Sequence, residues 1–159
     1  MSSDLAEMLK QKKQQWINYR NESRLERDNW ETKVKALYTQ IKQWLMPLKN
    51  DGLLRYKEEA LPVRSIWVGE GIEEEKRNEL TIEFFNGETI KLEPIGLEVV
   101  GAYGRVDMKL GLHHVMIVMP EKEGDWIFAE RYNREEPTLY DFNQGNFEQF
   151  LTDFVERFS

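Results

Sequence analysis

Glu98, Asp107 and Lys109 are the residues whose types and spacing could do chemistry together. The last two belong to GAYGRVDMK, residues 101–109, where two glycines bracket Tyr103 and lead into an alternating run with Arg105, Asp107 and Lys109 on one strand face. Carboxylates converging on a hard divalent cation, beside a lysine that activates or orients water, are the parts of a metal-dependent hydrolytic site. His113 and His114 are the only histidines. Neighbours on a strand point to opposite faces, so the pair cannot readily share one metal. One could ligate with carboxylates or act as a general base, but no HExxH or other ligand spacing occurs and no serine is positioned by a motif. They read as ordinary strand residues, one of them at the edge of the core.

The Gly-Arg-apolar-Asp run at residues 104–107 resembles the metal-binding strand of nucleases with the RecB-like or PD-(D/E)xK core. In that family an Asp on one strand and an acidic-x-Lys on the next hold Mg²⁺ beside a general-base lysine. The resemblance covers about four residues, and the following strand, HHVMIVMPEK, lacks the acidic-x-Lys element. A second assignment takes Glu98 as the first acid and Asp107-Met108-Lys109 as the acidic-x-Lys, with Glu98 in place of the usual Asp and no identifiable helix-borne Glu. The resemblance implies a metal-dependent nuclease centred on Asp107. The plainer reading turns Val106 and Met108 inward and leaves Arg105, Asp107 and Lys109 in solvated cross-strand pairs.

Other chemistries have less footing. There is no cysteine, which removes disulfides, thiolate nucleophiles and Cys-ligated zinc. No Walker loop or dinucleotide fingerprint occurs, and Gly69 and Gly71 in VGEGIEEE are followed by acids that would repel phosphate. The formal net charge of −7 divides unevenly: residues 1–50 carry +4 and residues 51–159 carry −11. Lys10, Lys12, Lys13, Arg20, Arg24 and Arg27 cluster near Trp16 and Tyr19, as charge and stacking for nucleic acid would require, but Glu22, Glu26 and Asp28 interrupt the patch. The opening MSSDLAEMLKQKKQQW lacks a signal-peptide core, and no window approaches the ~18 apolar residues of a membrane span. The expectation is a soluble cytoplasmic protein.

Trp16, Trp30 and Trp44 stand 14 residues apart in an opening stretch of 46 residues without Gly or Pro. At about 100° per residue all three rings fall within about 80° on one helical face. The seam Leu5, Leu9, Lys12, Trp16, Tyr19, Ser23, Glu26, Trp30, Val34, Leu37, Ile41, Trp44 and Leu48 is heptad-like with a stutter after Trp30. Between Tyr19 and Trp30 only Leu25 is apolar, and Ser23 with Glu26 and Asp28 with Glu31 are potential caps. One rod of about 66 Å would overhang a body whose radius of gyration is near 13 Å, so a folded-back hairpin is the alternative. Pro47 and KNDG end the helical part.

Beyond it the period changes to two, with strands expected at 64–68, 80–85, 88–93, 98–102, 104–109, 113–119 and 126–131. Asn86-Gly87 predicts a type I′ hairpin, a second hairpin is expected through residues 120–125, and EEEKRN at 73–78 reads as an exposed loop. Phe147, Phe150, Leu151, Phe154 and Phe158 mark a terminal amphipathic helix, capped by Asn146 with Gln149.

The expected fold is α+β: a long N-terminal helix or helical hairpin at 1–50, then at 51–159 an antiparallel sheet of five to seven strands with a C-terminal helix packed on it, forming one structural unit. Seven strands before a helix also permit an analogy with a pleckstrin-homology-like roll. The expected function is a non-catalytic, acidic protein-binding module, a regulator, accessory subunit or toxin-neutralising inhibitor of the immunity-protein kind. Its partner would be another protein, basic if carboxylates steer it, or a second copy held through the N-terminal helix. Trp16, Tyr19, Trp30, Leu37 and Trp44 are the partner-binding candidates. No catalytic residue, metal or cofactor is assigned outside the nuclease alternative of Glu98, Asp107 and Lys109; nucleic-acid binding through the arm is the third reading.

Overall fold

A computed structural model of the chain describes residues 2–68, 71–97, 103–132 and 135–158. It is α+β. Helix α1 (Ser2–Asn50) leads into strands β1 (Leu54–Val68), β2 (Gly71–Phe84), β3 (Thr89–Leu97), β4 (Gly104–Leu110), β5 (His113–Met119), β6 (Ile127–Glu130) and β7 (Thr138–Asp141), followed by helix α2 (Gln144–Val155). The strands form one antiparallel sheet in sequence order, each paired with the next.

The N-terminal stretch is a single helix, not a hairpin. The polar gap is rich in Arg and Glu, which favour helix, and no Gly or Pro interrupts the backbone before Pro47. Ser23 and Asp28 therefore start no new helix; the Asp28 carbonyl accepts the Thr32 hydroxyl within the continuous one. Pro47 is tolerated in the last turns, and the end is a Schellman closure: Leu53 N–H donates to Leu48 O and Gly52 N–H to Lys49 O, both at 3.0 Å, with Gly52 at φ 74°.

The sheet has two unlike faces. Leu80, Ile82, Leu92, Val106, Met108 and Ile117 point inward and are fully buried, while Lys91, Glu93, Arg105, Asp107 and Lys109 take the alternate positions on the other face. Both helices cover the inner face. From α1 come Trp30, Val34, Leu37, Tyr38, Ile41 and Leu45; from α2 come Phe147, Phe150, Leu151 and Phe154. Trp30 lies on the β4 backbone, where a Cβ on Gly104 would stand 2.3 Å from the indole, so glycine is what lets the ring seat there. Trp44 packs between the helices, 5.0 Å from Phe142 and 5.5 Å from Phe147.

Several local expectations change. Residues 73–78 are not a loop: they belong to β2, because β1 supplies a complete antiparallel partner that sequence periodicity could not reveal. The Asn86-Gly87 hairpin exists, but its turn is shifted. Gly87 N–H donates to Phe84 O and Phe84 N–H to Glu88 O, giving a three-residue loop with Gly87 at φ 87° rather than a two-residue type I′ turn. The α2 cap is Asn143, whose side chain accepts from Asn146 N–H at 2.8 Å; Asn146 instead donates to Asp141 O. The 98–102 strand lies outside the described residues. β7 carried no clear alternation and was not expected.

One proline shapes the sheet. Leu92 pairs with Leu80 and Ile90 with Ile82, so Pro94 comes opposite Asn78 with no N–H to offer. The Tyr38 hydroxyl donates to Asn78 O instead, at 2.8 Å, and lies 3.2 Å from Leu92 O. Burial, with Glu58 and Glu79 nearby, pushes this phenol well above its ordinary pKa. Beyond that point β2 and β3 diverge. Among the described residues, 71–79 of β2 pair only with β1, as a two-stranded ribbon, while β3 follows β4 through a bulge at Ile95.

Candidate functional site

The stripe that α1 buries does not stop where the sheet stops. Counting back at about 100° per residue, Leu5, Met8, Leu9, Trp16 and Tyr19 fall within about 60° of the line through Trp30, Val34 and Ile41. Among the described residues no strand covers them. Their exposures are 59%, 58%, 59%, 46% and 68%, against 7% for Trp30 and 2% for Leu37. Residues 4–25 thus form an arm of about 33 Å with an exposed apolar face in register with the core face. Arg20 lies over the Trp16 ring, 4.8 Å from its centroid, and stiffens that part of the surface.

The arm is tied at its root. Glu26 accepts from the Tyr103 hydroxyl at 3.2 Å and from Lys122 in the β5–β6 loop. The Lys122 hydrogen bond holds the Glu26 carboxyl below its usual pKa, and the same contact raises the lysine. Beyond Glu26 the helix enters the body at Trp30, whose ring meets Tyr103 edge-on at 6.5 Å and Trp126 at 5.7 Å.

The structure divides the five partner-binding candidates. Trp16 and Tyr19 lie on the open arm, whereas Trp30 and Leu37 are buried in the protein's own core and Trp44 packs against Phe142 and Phe147. Equal spacing along a helix says which residues share a face; it does not say how far the covering sheet extends. Leu5, Met8 and Leu9 complete the open surface; the heptad seam was the signal for Leu5 and Leu9.

Asp107 and Lys109 do not converge on a common point. Arg105 Nε lies 2.8 Å from Asp107 Oδ1, and Lys109 Nζ lies 2.8 Å from Glu93 Oε2 on the neighbouring strand. Glu93, first through its hydrogen bond and then through its charge, raises the Lys109 pKa, so the amine is held as an ammonium donor. Among the described residues no three His, Asp or Glu side chains gather as metal ligands, and Glu98 lies outside them. His114 is exposed on the outer face.

His113 enters a cluster that spacing could not suggest. Its Nε2 stands 2.7 Å from Oε2 of the buried Glu130, whose other oxygen accepts from the Tyr140 hydroxyl at 3.3 Å. Tyr132 stacks on the imidazole, 5.4 Å between centroids and 17° between planes. A hydrogen bond to Glu130 is the main cause of the raised Tyr132 pKa, and burial is the main cause for Tyr140. Both phenols keep their protons and act as donors. The cluster satisfies a carboxylate buried at the β5–β6–β7 edge.

Where β2 and β3 part, an open cleft of about 810 Å³ lies between the ribbon, Pro94 to Gly96 and the helical residues Arg24, Arg27 and Trp30. Its rim carries both signs of charge, with Glu74, Glu75 and Glu31 answering Arg24, Arg27 and Lys76. No helix is long and apolar enough to cross a membrane among the described residues. Comparison with known proteins returned no match to a family model, a curated protein or a solved structure.

Proposed function

We propose that this chain is a non-catalytic protein-binding module whose arm engages another protein while the sheet and α2 hold the arm's root. The observation that carries the reading is the continuation of α1's apolar stripe for about six turns past the last sheet contact, with five large side chains left open. A surface helix normally lays such a stripe on something. Trp16 and Tyr19 have the rigid, amphipathic character of interface anchors. The acidic body, at −11 over residues 51–159, keeps the module soluble and sets the sign of its long-range field.

The test compares the full chain with a Trp16→Ala, Tyr19→Ala variant, both immobilised and exposed to native extract, followed by reconstitution of any retained protein at defined stoichiometry. The expected result is a partner held by the native arm and lost from the variant with the body's unfolding curve unchanged. Identical retention on both would sink the reading.

A further inference from the structure

Two copies of this chain are poorly suited to covering each other's arms, for a steric reason in one orientation and an electrostatic reason in the other. A parallel partner helix would lie about 8–10 Å from α1 on the side of the stripe, along the whole helix. From Trp30 onward that space holds the protein's own sheet, with the indole already against Gly104. Only an antiparallel overlap of arms is sterically open, and it must end near Glu26, where Tyr103 and Lys122 begin the body.

Lys10, Lys12 and Lys13 sit near the middle of the arm, exposed and without an ion pair to any described residue. In the antiparallel registers that cover the open face from Leu5 to Tyr19 and stop at the body, the two copies of Lys12 come within about 6 Å along the axis, less than the ~8 Å screening length at physiological salt. Four lysines, the two copies of Lys12 in the stripe and of Lys13 on its flank, would then meet, while Lys10 lies about 140° round the helix. The arm's own acids do not answer them: Glu7 turns away from the stripe, and Asp4 leaves the helix on the flank opposite to Arg20.

We infer that the arm's occupant is an amphipathic helix of a different protein, with apolar side chains seated on Leu5, Met8, Leu9, Trp16 and Tyr19 and carboxylates placed against Lys12 and Lys13. The inference rests on the proposed protein-binding role of the arm and adds the partner's chemistry. Charge decides the choice because Lys12 lies within the stripe itself, where a partner helix must either answer its ammonium or bury it unpaired.

The experiment uses the full chain and two synthetic helical peptides of about 25 residues that share one apolar stripe, one flanked by Glu and the other by Lys. Binding is read by fluorescence anisotropy at physiological salt, with light scattering on the chain alone. The Glu-flanked peptide is expected to bind at least about tenfold more tightly, a Lys12→Glu, Lys13→Glu variant to reverse that order, and the chain to remain monomeric. Equal binding of both peptides would overturn the acidic-partner inference and leave the arm's binding role standing. Absence of binding by either, together with unchanged extract capture by the Trp16→Ala, Tyr19→Ala variant, would overturn the arm's role itself. A concentration-dependent dimer abolished by those two substitutions would make a second copy the occupant and overturn the inference.

Discussion

The two halves of α1 carry one pattern and meet two environments. In the second half Trp30 loses nearly all its solvent contact to the Gly104 backbone, Tyr103 and Trp126. In the first half Trp16 keeps 46% exposure, with Arg20 of its own helix over its ring. A fully buried aromatic removes roughly 150–250 Å² from water, about 4–6 kcal/mol at ~25 cal/mol per Å². The body half has realised that gain in folding; in the arm half a large part of it remains unrealised in the chain itself. An amphipathic stripe therefore marks a face that needs covering, and the cover can be internal or supplied by another molecule.

The sharpest way to break this comparison is to remove an indole from each half. Trp30→Ala is expected to cost about 3–5 kcal/mol in urea-monitored unfolding, the range for deleting a large core aromatic. A loss below about 1 kcal/mol would mean that the ring is not a core element. Tyr38→Phe tests the same half at its polar point: the Asn78 carbonyl opposite Pro94 loses its donor, with an expected cost of about 1–3 kcal/mol and greater hydrogen exchange in residues 71–79. An unchanged exchange pattern would show that the hydroxyl does not close the apex of the split.

Trp16→Ala with Tyr19→Ala should change unfolding free energy by no more than about 0.5 kcal/mol, since these side chains make little contact with the body. A larger loss would place the arm in the folding unit and erase the contrast. The smallest effect concerns the root. Glu26 is lowered from 4.5, so its contribution is present above that value and is lost as pH falls through the lower folded value; Lys122 is raised from 10.5, so its contribution is present below that value and is lost as pH rises through the higher folded value. The tie is thus complete across neutral pH. Side-chain NMR titration of Glu26 should show the lowered midpoint, and Lys122→Met should return it toward 4.5; an unmoved midpoint would remove the tie.

Much of the fold was legible before any coordinates. A helix without Gly or Pro, alternating strands between turn residues and a terminal aromatic helix are local statements, and each rests on a period the backbone imposes. The candidate site was half legible. Spacing placed Trp16, Tyr19, Trp30, Leu37 and Trp44 together on a face, and Leu5 and Leu9 in the same seam, but could not divide that face into core and surface. Asp107 and Lys109 pair with Arg105 and Glu93, which spacing did not foretell, because period-two alternation specifies the shared face and leaves Glu93, a strand away, to take the lysine.

The sequence by itself determined that α1 is helical, that its apolar residues share a stripe and that the sheet has one apolar face, because these depend on dihedral preference and residue spacing. Only the tertiary structure decided where the stripe stops being core. That boundary depends on where the sheet ends, which follows from long-range strand pairing and from one proline that parts β2 from β3. No helical period contains that information, so three tryptophans with the same spacing came to occupy an open, a buried and a half-buried position.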